Sequence, residues 1–263
     1  MDSSKLDNLL IVLVGTTHPG NIGAVARAMK TMGLRRLSLV GPKHFPSAQA
    51  SARAAGADDV LYGARVFESL PAALTDCHWV VGTSARVRSI PWPELTPRAC
   101  AQRAMAAAGA GRVALVFGRE HSGLTNEELD QCQAVVRIPT DPAYHSLNLA
   151  SAVQVVSYEL RMALLSGLEG EANPVGDEAD ADRADGVGVS EWAGFFRHLA
   201  VSLEDIGYYD PAKPKRLMRR LRRLFHRARP DRSEMNILRG ILSAAQKAAR
   251  SNSPGTGENG SQG

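Results

Sequence analysis

The chain has 263 residues, with 31 Lys and Arg against 27 Asp and Glu, 44% hydrophobic residues and three cysteines. This length suits one α/β domain with a smaller appendage, and no apolar run approaches the roughly 20 residues that cross a bilayer, so a cytoplasmic protein without membrane contact is expected. Cys77, Cys100 and Cys132 form no close pair and the histidines are scattered, which argues against a zinc knuckle, a redox CxxC or any dedicated metal site.

From Leu9 to about Leu165, β-rich runs alternate with Ala-rich helical stretches, predicting an α/β domain over residues 1–165 built on a mostly parallel sheet. Strands are expected at Leu9–Val14, Leu37–Val40, Trp79–Val81, Val113–Phe117 and Ala134–Ile138, several of them unbroken apolar runs as buried parallel strands require. Between the first two, Ile22, Val25, Ala26 and Met29 repeat at helical spacing, with Asn21 as N-cap and Gly33 as stop. Leu147–Leu164 reads as a longer helix capped by Ser146, and its small residues Ala150, Ser151 and Ala152 suit a tight interface. Residues 166–190 are acidic and Gly-rich, the composition of a flexible linker. Helical patterning returns over 191–250, with Trp192, Phe195, Phe196 and Leu199 on one face and Leu217, Leu221, Leu224 and Phe225 on another, predicting a small all-α domain before a disordered tail, 251–263.

Charge is uneven along this order. Residues 211–250 hold 13 Lys and Arg against only Asp231 and Glu234, while the remainder of the chain is net acidic. Such a segment points to a polyanion, RNA first among them. Arg216, Arg219, Arg220, Arg222, Arg223 and Arg227 surround the Leu217/Leu221/Leu224 stripe, so they are expected to turn their guanidinium groups outward to phosphates.

In parallel sheets ligands bind beyond the carboxyl ends of strands, and the segments there are Gly15–Gly20, Gly82–Ala85, Gly118–Glu120 and Pro139–Asp141. The glycine spacing after the first strand fits neither GxGxxG nor GxxxxGK[ST], because Asn21 stands where a P-loop needs lysine. Taken singly, the polar residues have ordinary uses. Arg27 can reach water, Arg119 can pair with Glu120, and Ser146 and Asn148 can cap a helix.

Taken together, the segment from Gly20 to Gly33 (GNIGAVARAMKTMG), Val113 to Leu124 (VALVFGREHSGL) and Ile138 to Leu149 (IPTDPAYHSLNL) resembles the three motifs of the SPOUT methyltransferases, and specifically the TrmJ-type tRNA 2′-O-methyltransferases. The likeness runs from about Leu9 to Met162, and Gly82–Arg86 is similar to the family's additional cofactor loop. It implies a trefoil knot in the later part of the domain, S-adenosyl-L-methionine (AdoMet) as cofactor, tRNA as partner with nucleotide 32 of the anticodon loop as usual target, and a homodimer with composite sites. By the same resemblance Arg27 serves the ribose 2′-hydroxyl, Asn21 and Glu120 order the site, and Ser146 and Asn148 sit beside cofactor and nucleotide. Thr83, Ser84, Ala85, Gly118, Ile138, His145, Ser146 and Leu147 would line AdoMet, and Arg86 would meet RNA. 2′-O-Methylation of another tRNA position or of rRNA, and a non-catalytic RNA-binding protein on the same fold, are the competing readings.

Overall fold

The computed structural model describes residues 4–85, 92–144, 146–168, 187–214 and 216–252. A short helix, α1 (Ser4–Asp7), precedes seven strands: β1 (Leu9–Val14), β2 (Arg36–Val40), β3 (Arg65–Phe67), β4 (Cys77–Thr83), β5 (Glu94–Leu95), β6 (Arg112–Phe117) and β7 (Ala134–Val136). They form one parallel sheet in the order β3-β2-β1-β6-β4-β7-β5. The strand order reverses between β1 and β6, which opens a crevice at their carboxyl ends.

Side chains alternate along each strand, so β1 feeds both faces of the sheet. Leu9, Ile11 and Leu13 enter one apolar cluster and Leu10, Val12 and Val14 the other, which is why its sequence is apolar throughout. On the first face lie α2 (Pro19–Thr31), α3 (Ala48–Ala54), α4 (Asp58–Tyr62), α6 (Pro97–Ala107) and α8 (Leu149–Leu168), with α5 (Leu70–Leu74) and α7 (Asn126–Leu129) on the second. The predicted N-cap of α2 is corrected: Pro19 occupies the first turn and His18 caps in extended geometry, so Asn21 is already helical. Asn148 rather than Ser146 caps α8, its side-chain oxygen accepting from the Ala150 amide at 2.9 Å. All three cysteines are free and buried.

Three further helices, α9 (Val189–Asp205), α10 (Leu217–Ala228) and α11 (Arg232–Asn252), enclose a separate core of Trp192, Phe195, Phe196, Leu199 and Met235. The predicted linker is helical at both ends, and its middle, 169–186, lies outside the described residues, as does most of the predicted tail. Met218, Leu221 and Phe225 turn α10 toward this core, whereas Leu224, expected among them, is 46% exposed.

These helices dock on the sheet domain. Val189 packs against the second sheet cluster, and the buried His226 ring sits among Trp92, Trp192 and Phe196 at centroid distances of 6.1, 4.6 and 5.3 Å. Burial and then the nearby Arg222 hold that imidazole neutral, with its pKa pushed down to about 3. Arg219 donates through Nε to both oxygens of Asp130, at 3.1 and 3.2 Å.

Candidate active site and basic helix

The loops that follow β1 and β6 meet at the reversal point, and Glu120 ties them together. Its carboxylate accepts from the Thr17 amide at 3.2 Å, the Thr17 hydroxyl at 3.0 Å, the His18 amide at 3.2 Å and the Asn21 side-chain amide at 3.0 Å. Because a carboxylate can only accept, Asn21 must turn its NH2 toward Glu120 and its oxygen outward. That oxygen receives the Asn148 side-chain amide at 3.1 Å. Three of the predicted catalytic residues, 99 and 127 positions apart along the chain, thus form one oriented chain of hydrogen bonds.

Burial pushes the Glu120 carboxyl up, but the Asn21 amide and the backbone amides of Glu120, His18 and Thr17 outweigh it and bring the pKa to about 2. The group's ordinary value is 4.5, so between these limits the unfolded chain binds the extra proton. The stability contributed by the ionised carboxylate is therefore complete above about pH 4.5 and is lost as pH falls toward 2. Urea unfolding at pH 6 and pH 3.5 should show a smaller acid loss for Glu120→Gln than for the parent chain. An identical loss in both would show that these bonds do not favour the ionised form.

Arg119 does not pair with Glu120, contrary to the local ion pair that the sequence allows. It makes a fork to Glu128, with Nη1 and Nη2 each 3.0 Å from a carboxylate oxygen. Arg27 is exposed on α2 and has no hydrogen bond or ion pair among the described residues. Six residues beyond Asn21, it stands about 9 Å further along the helix and does not join the Glu120 network.

The residues expected to line a cofactor collect on the same edge. Thr83 pairs in register with Val136, the Ser84 amide reaches the Val136 carbonyl at 3.2 Å, and the Thr83 hydroxyl donates to the Val116 carbonyl at 3.1 Å. The Thr83 hydroxyl is therefore engaged within the sheet. Gly118 is buried where a Cβ would lie 2.2 Å from the Gly123 carbonyl carbon, so its loop folds back tightly on itself. Ala85, Ser146, Leu147 and Asn148 are exposed and Ile138 is half-buried, while His145 and Arg86 lie outside the described residues. No group of three His, Cys, Asp or Glu able to hold a metal occurs among the described residues, and none of their helices is long and apolar enough to cross a membrane.

The six arginines of α10 divide into two sets. Arg219 is held by Asp130, and Arg222 lies over the Phe196 ring at 4.5 Å from its centroid, so neither turns outward as expected. Arg216, Arg220 and Arg227 are exposed and Arg223 is half-buried. Their spacing of four, three and four residues makes one continuous helical stripe.

Residues 8–158 match the SpoU rRNA Methylase family, and residues 190–254 match the tRNA methyltransferase TrmJ C-terminal domain. The chain is 52% identical to a tRNA (cytidine/uridine/adenosine-2′-O-)-methyltransferase TrmJ of Pseudomonas aeruginosa over 93% of its own length and 96% of the relative's. It is 51% identical to a tRNA (cytidine/uridine-2′-O-)-methyltransferase TrmJ of Pectobacterium atrosepticum over 92% of its own length and 98% of the relative's. The crystal structure of TrmJ from Z. mobilis matches with a TM-score of 0.72 at 32% identity, covering 89% of this chain and 97% of that one. With a parallel sheet whose loops meet at the reversal point and a basic three-helix unit docked beside it, the chain belongs to the SpoU methylase family of methyltransferases, in its TrmJ branch.

Proposed function

We propose that this chain transfers a methyl group from AdoMet to a ribose 2′-hydroxyl of tRNA, at nucleotide 32 of the anticodon loop, as a cytoplasmic homodimer without a metal. The observation that carries this reading is the Glu120–Asn21–Asn148 chain at the sheet's reversal point, on a fold shared along nearly its whole length with relatives named for tRNA 2′-O-methylation. The half-buried Ile138 follows β7 and the exposed Leu147 precedes α8, and these apolar side chains would flank the adenosine of the donor. AdoMet supplies, when bound, an electrophilic methyl group on a sulfonium. The family's trefoil knot belongs to the same reading.

In this scheme Asn21, Ser146 and Asn148 order the nucleotide's surroundings. Glu120 is not the base, because four donors occupy its oxygens and its pKa of about 2 is far from neutrality. The hydroxyl proton passes to the adjacent RNA phosphate, and Arg27 holds that phosphate and the developing alkoxide. Support for the dimer comes from α8, where Ser151, Tyr158 and Met162 are exposed and Val155 half-buried along one stripe. Ala150 and Ala152, by contrast, pack in part on the chain's own core.

The test is methylation by the purified full-length chain with labelled AdoMet and either bulk tRNA or rRNA, followed by mass-spectrometric mapping of the modified nucleotide. Label in tRNA at a ribose of the anticodon loop is expected. Label in rRNA alone would select the other substrate, and no label with AdoMet bound would select a non-catalytic RNA-binding protein.

The outward stripe of α10 makes a separate prediction for tRNA binding. Replacing Arg216, Arg220 and Arg227 together by glutamine should weaken binding and lower the log–log salt slope by about 0.7 to 0.9 for each phosphate that is no longer neutralised. An unchanged slope would remove this helix from the RNA interface.

A further inference from the structure

Outside the Glu120 network, one half-buried ion pair bears on the same loops. Arg119 follows Gly118 and precedes Glu120, and its side chain turns away from both to lie against Gly15, where a Cβ would stand 2.8 Å from Arg119 Nε. There it forks onto Glu128, whose side chain is only 14% exposed. Glu128 belongs to α7, a four-residue helix far too short to hold its shape through its own hydrogen bonds. A capping box holds it instead, the Thr125 hydroxyl accepting from the Glu128 amide at 3.2 Å and Glu128 accepting from the Thr125 amide at 2.7 Å. At its far end Asp130 takes Arg219 from α10. The segment 118–123 is further closed by reciprocal backbone bonds between Arg119 and Gly123, at 3.2 and 2.9 Å.

We propose that Arg119 and Glu128 are positioning residues for the methyl transfer: their fork clamps residues 118–123 between Gly15 and α7 and so fixes the direction in which Glu120 meets Thr17, His18 and Asn21. The physical reason is geometric. Arg119 opens a tight turn that its backbone closes on Gly123 and that Glu120 continues, so anchoring the Arg119 side chain on Glu128 fixes the turn from which the Glu120 side chain projects. The planar guanidinium matched to a carboxylate permits little rotation, which a single-point contact would allow. Glu120 then presents its oxygens to four donors at once, and Asn21 and Asn148 inherit their orientation from it. Arg119 and Glu128 themselves touch no reacting atom, and their role rests on the methyltransferase reading.

The test uses full-length chains carrying Arg119→Lys, Arg119→Gln, Glu128→Gln and the double Arg119→Gln/Glu128→Gln. Glutamine at 128 keeps the capping box, so α7 retains its start while the charged fork is removed. Single-turnover methylation of tRNA should fall by about 100-fold in each variant, the size of effect that follows a small misplacement of reacting groups. AdoMet affinity, tRNA KM and melting temperature should change little, and the double variant should be no slower than the slower single one, because both substitutions break the same fork. Arg219→Gln is the contrast, expected to raise the tRNA KM while leaving the chemical step near its normal rate. Hydrogen exchange of the Thr17 and His18 amides gives a readout independent of activity, and their protection should drop in all four pair variants. Unchanged protection, parent-like turnover, or a loss explained by weaker AdoMet binding or a lower melting temperature would each overturn the proposal. If the parent chain failed to methylate tRNA while the two amides still lost protection, the substrate reading would fall and the positioning role would stand.

Discussion

Arg27→Ala should lower single-turnover methylation of tRNA by at least about 100-fold, the loss seen when one donor to a developing oxyanion is removed. A ribose hydroxyl is a poor nucleophile, and the transition state places charge on an oxygen beside a phosphate. A guanidinium keeps its proton in proteins and so is no free base, but its planar fork can hold both groups at once. Arg27 is free to do so, being exposed and unengaged among the described residues. Arg27→Lys keeps the charge and loses the fork, so a loss nearly as large is expected, with AdoMet affinity unchanged in calorimetry. Parent-like turnover in Arg27→Ala would exclude the residue from catalysis, and parent-like turnover in Arg27→Lys alone would leave only a charge effect.

The distance between Arg27 and the Glu120 network adds a second arm to this experiment. In a two-fold dimer with composite sites, Arg27 of one protomer would serve the Asn148 site of the other. Mixed dimers of Arg27→Ala and Asn148→Ala chains should then recover about a quarter of parental turnover, one intact site in half of the dimers. No recovery would place both residues in the same protomer's site.

The second large effect is on stability. A Cβ at Gly23 would stand 1.9 Å from the Ala50 carbonyl oxygen and 2.9 Å from the Ala54 amide nitrogen. Both obstacles are backbone of α3 and cannot rotate aside, so Gly23→Ala must push α2 and α3 apart along the first face of the sheet. Overpacking of this kind costs about 3 kcal/mol at the upper end of its usual range, a fall in melting temperature on the order of 10 °C for a chain of this size. Gly167→Ala is the control, since nothing lies within 4 Å of a Cβ there and alanine favours the helix. Equal melting temperatures for Gly23→Ala and the parent would show that the two helices are not so closely packed.

Gly23 illustrates what the sequence can and cannot convey. The apolar runs of β1, β2, β4, β6 and β7 are legible because strands buried on both faces leave no other composition. Arg65–Phe67 and Glu94–Leu95 are not, because they sit at the two edges of the sheet, are three and two residues long, and are largely exposed or half-buried. Strand order carries no local signal either. Loops 15–18 and 118–120 can be placed at strand ends, but their meeting depends on β6 inserting beside β1. The resemblance to known motifs brings Asn21, Glu120 and Asn148 together before any geometry does. It has no comparable hold on α10, where the partner of Arg219 lies 89 residues away. A helical wheel cannot distinguish an arginine spent on an intramolecular carboxylate from one left for phosphate.

The docking of α10 also changes what the basic helix can do for selection. A domain on a loose tether only raises the local concentration of whatever it captures, and every ribose within reach would then compete for the same edge. Here Arg219 on Asp130, His226 among its aromatic rings and Val189 on the sheet core set the arginine stripe at a constant offset from the loops at 15–21 and 118–120. RNA gripped by that stripe would be measured as well as held. The nucleotide that reaches the reacting edge would then be picked out by its span from the gripped phosphates, as a calliper picks out a length, a choice that would require no reading of its base.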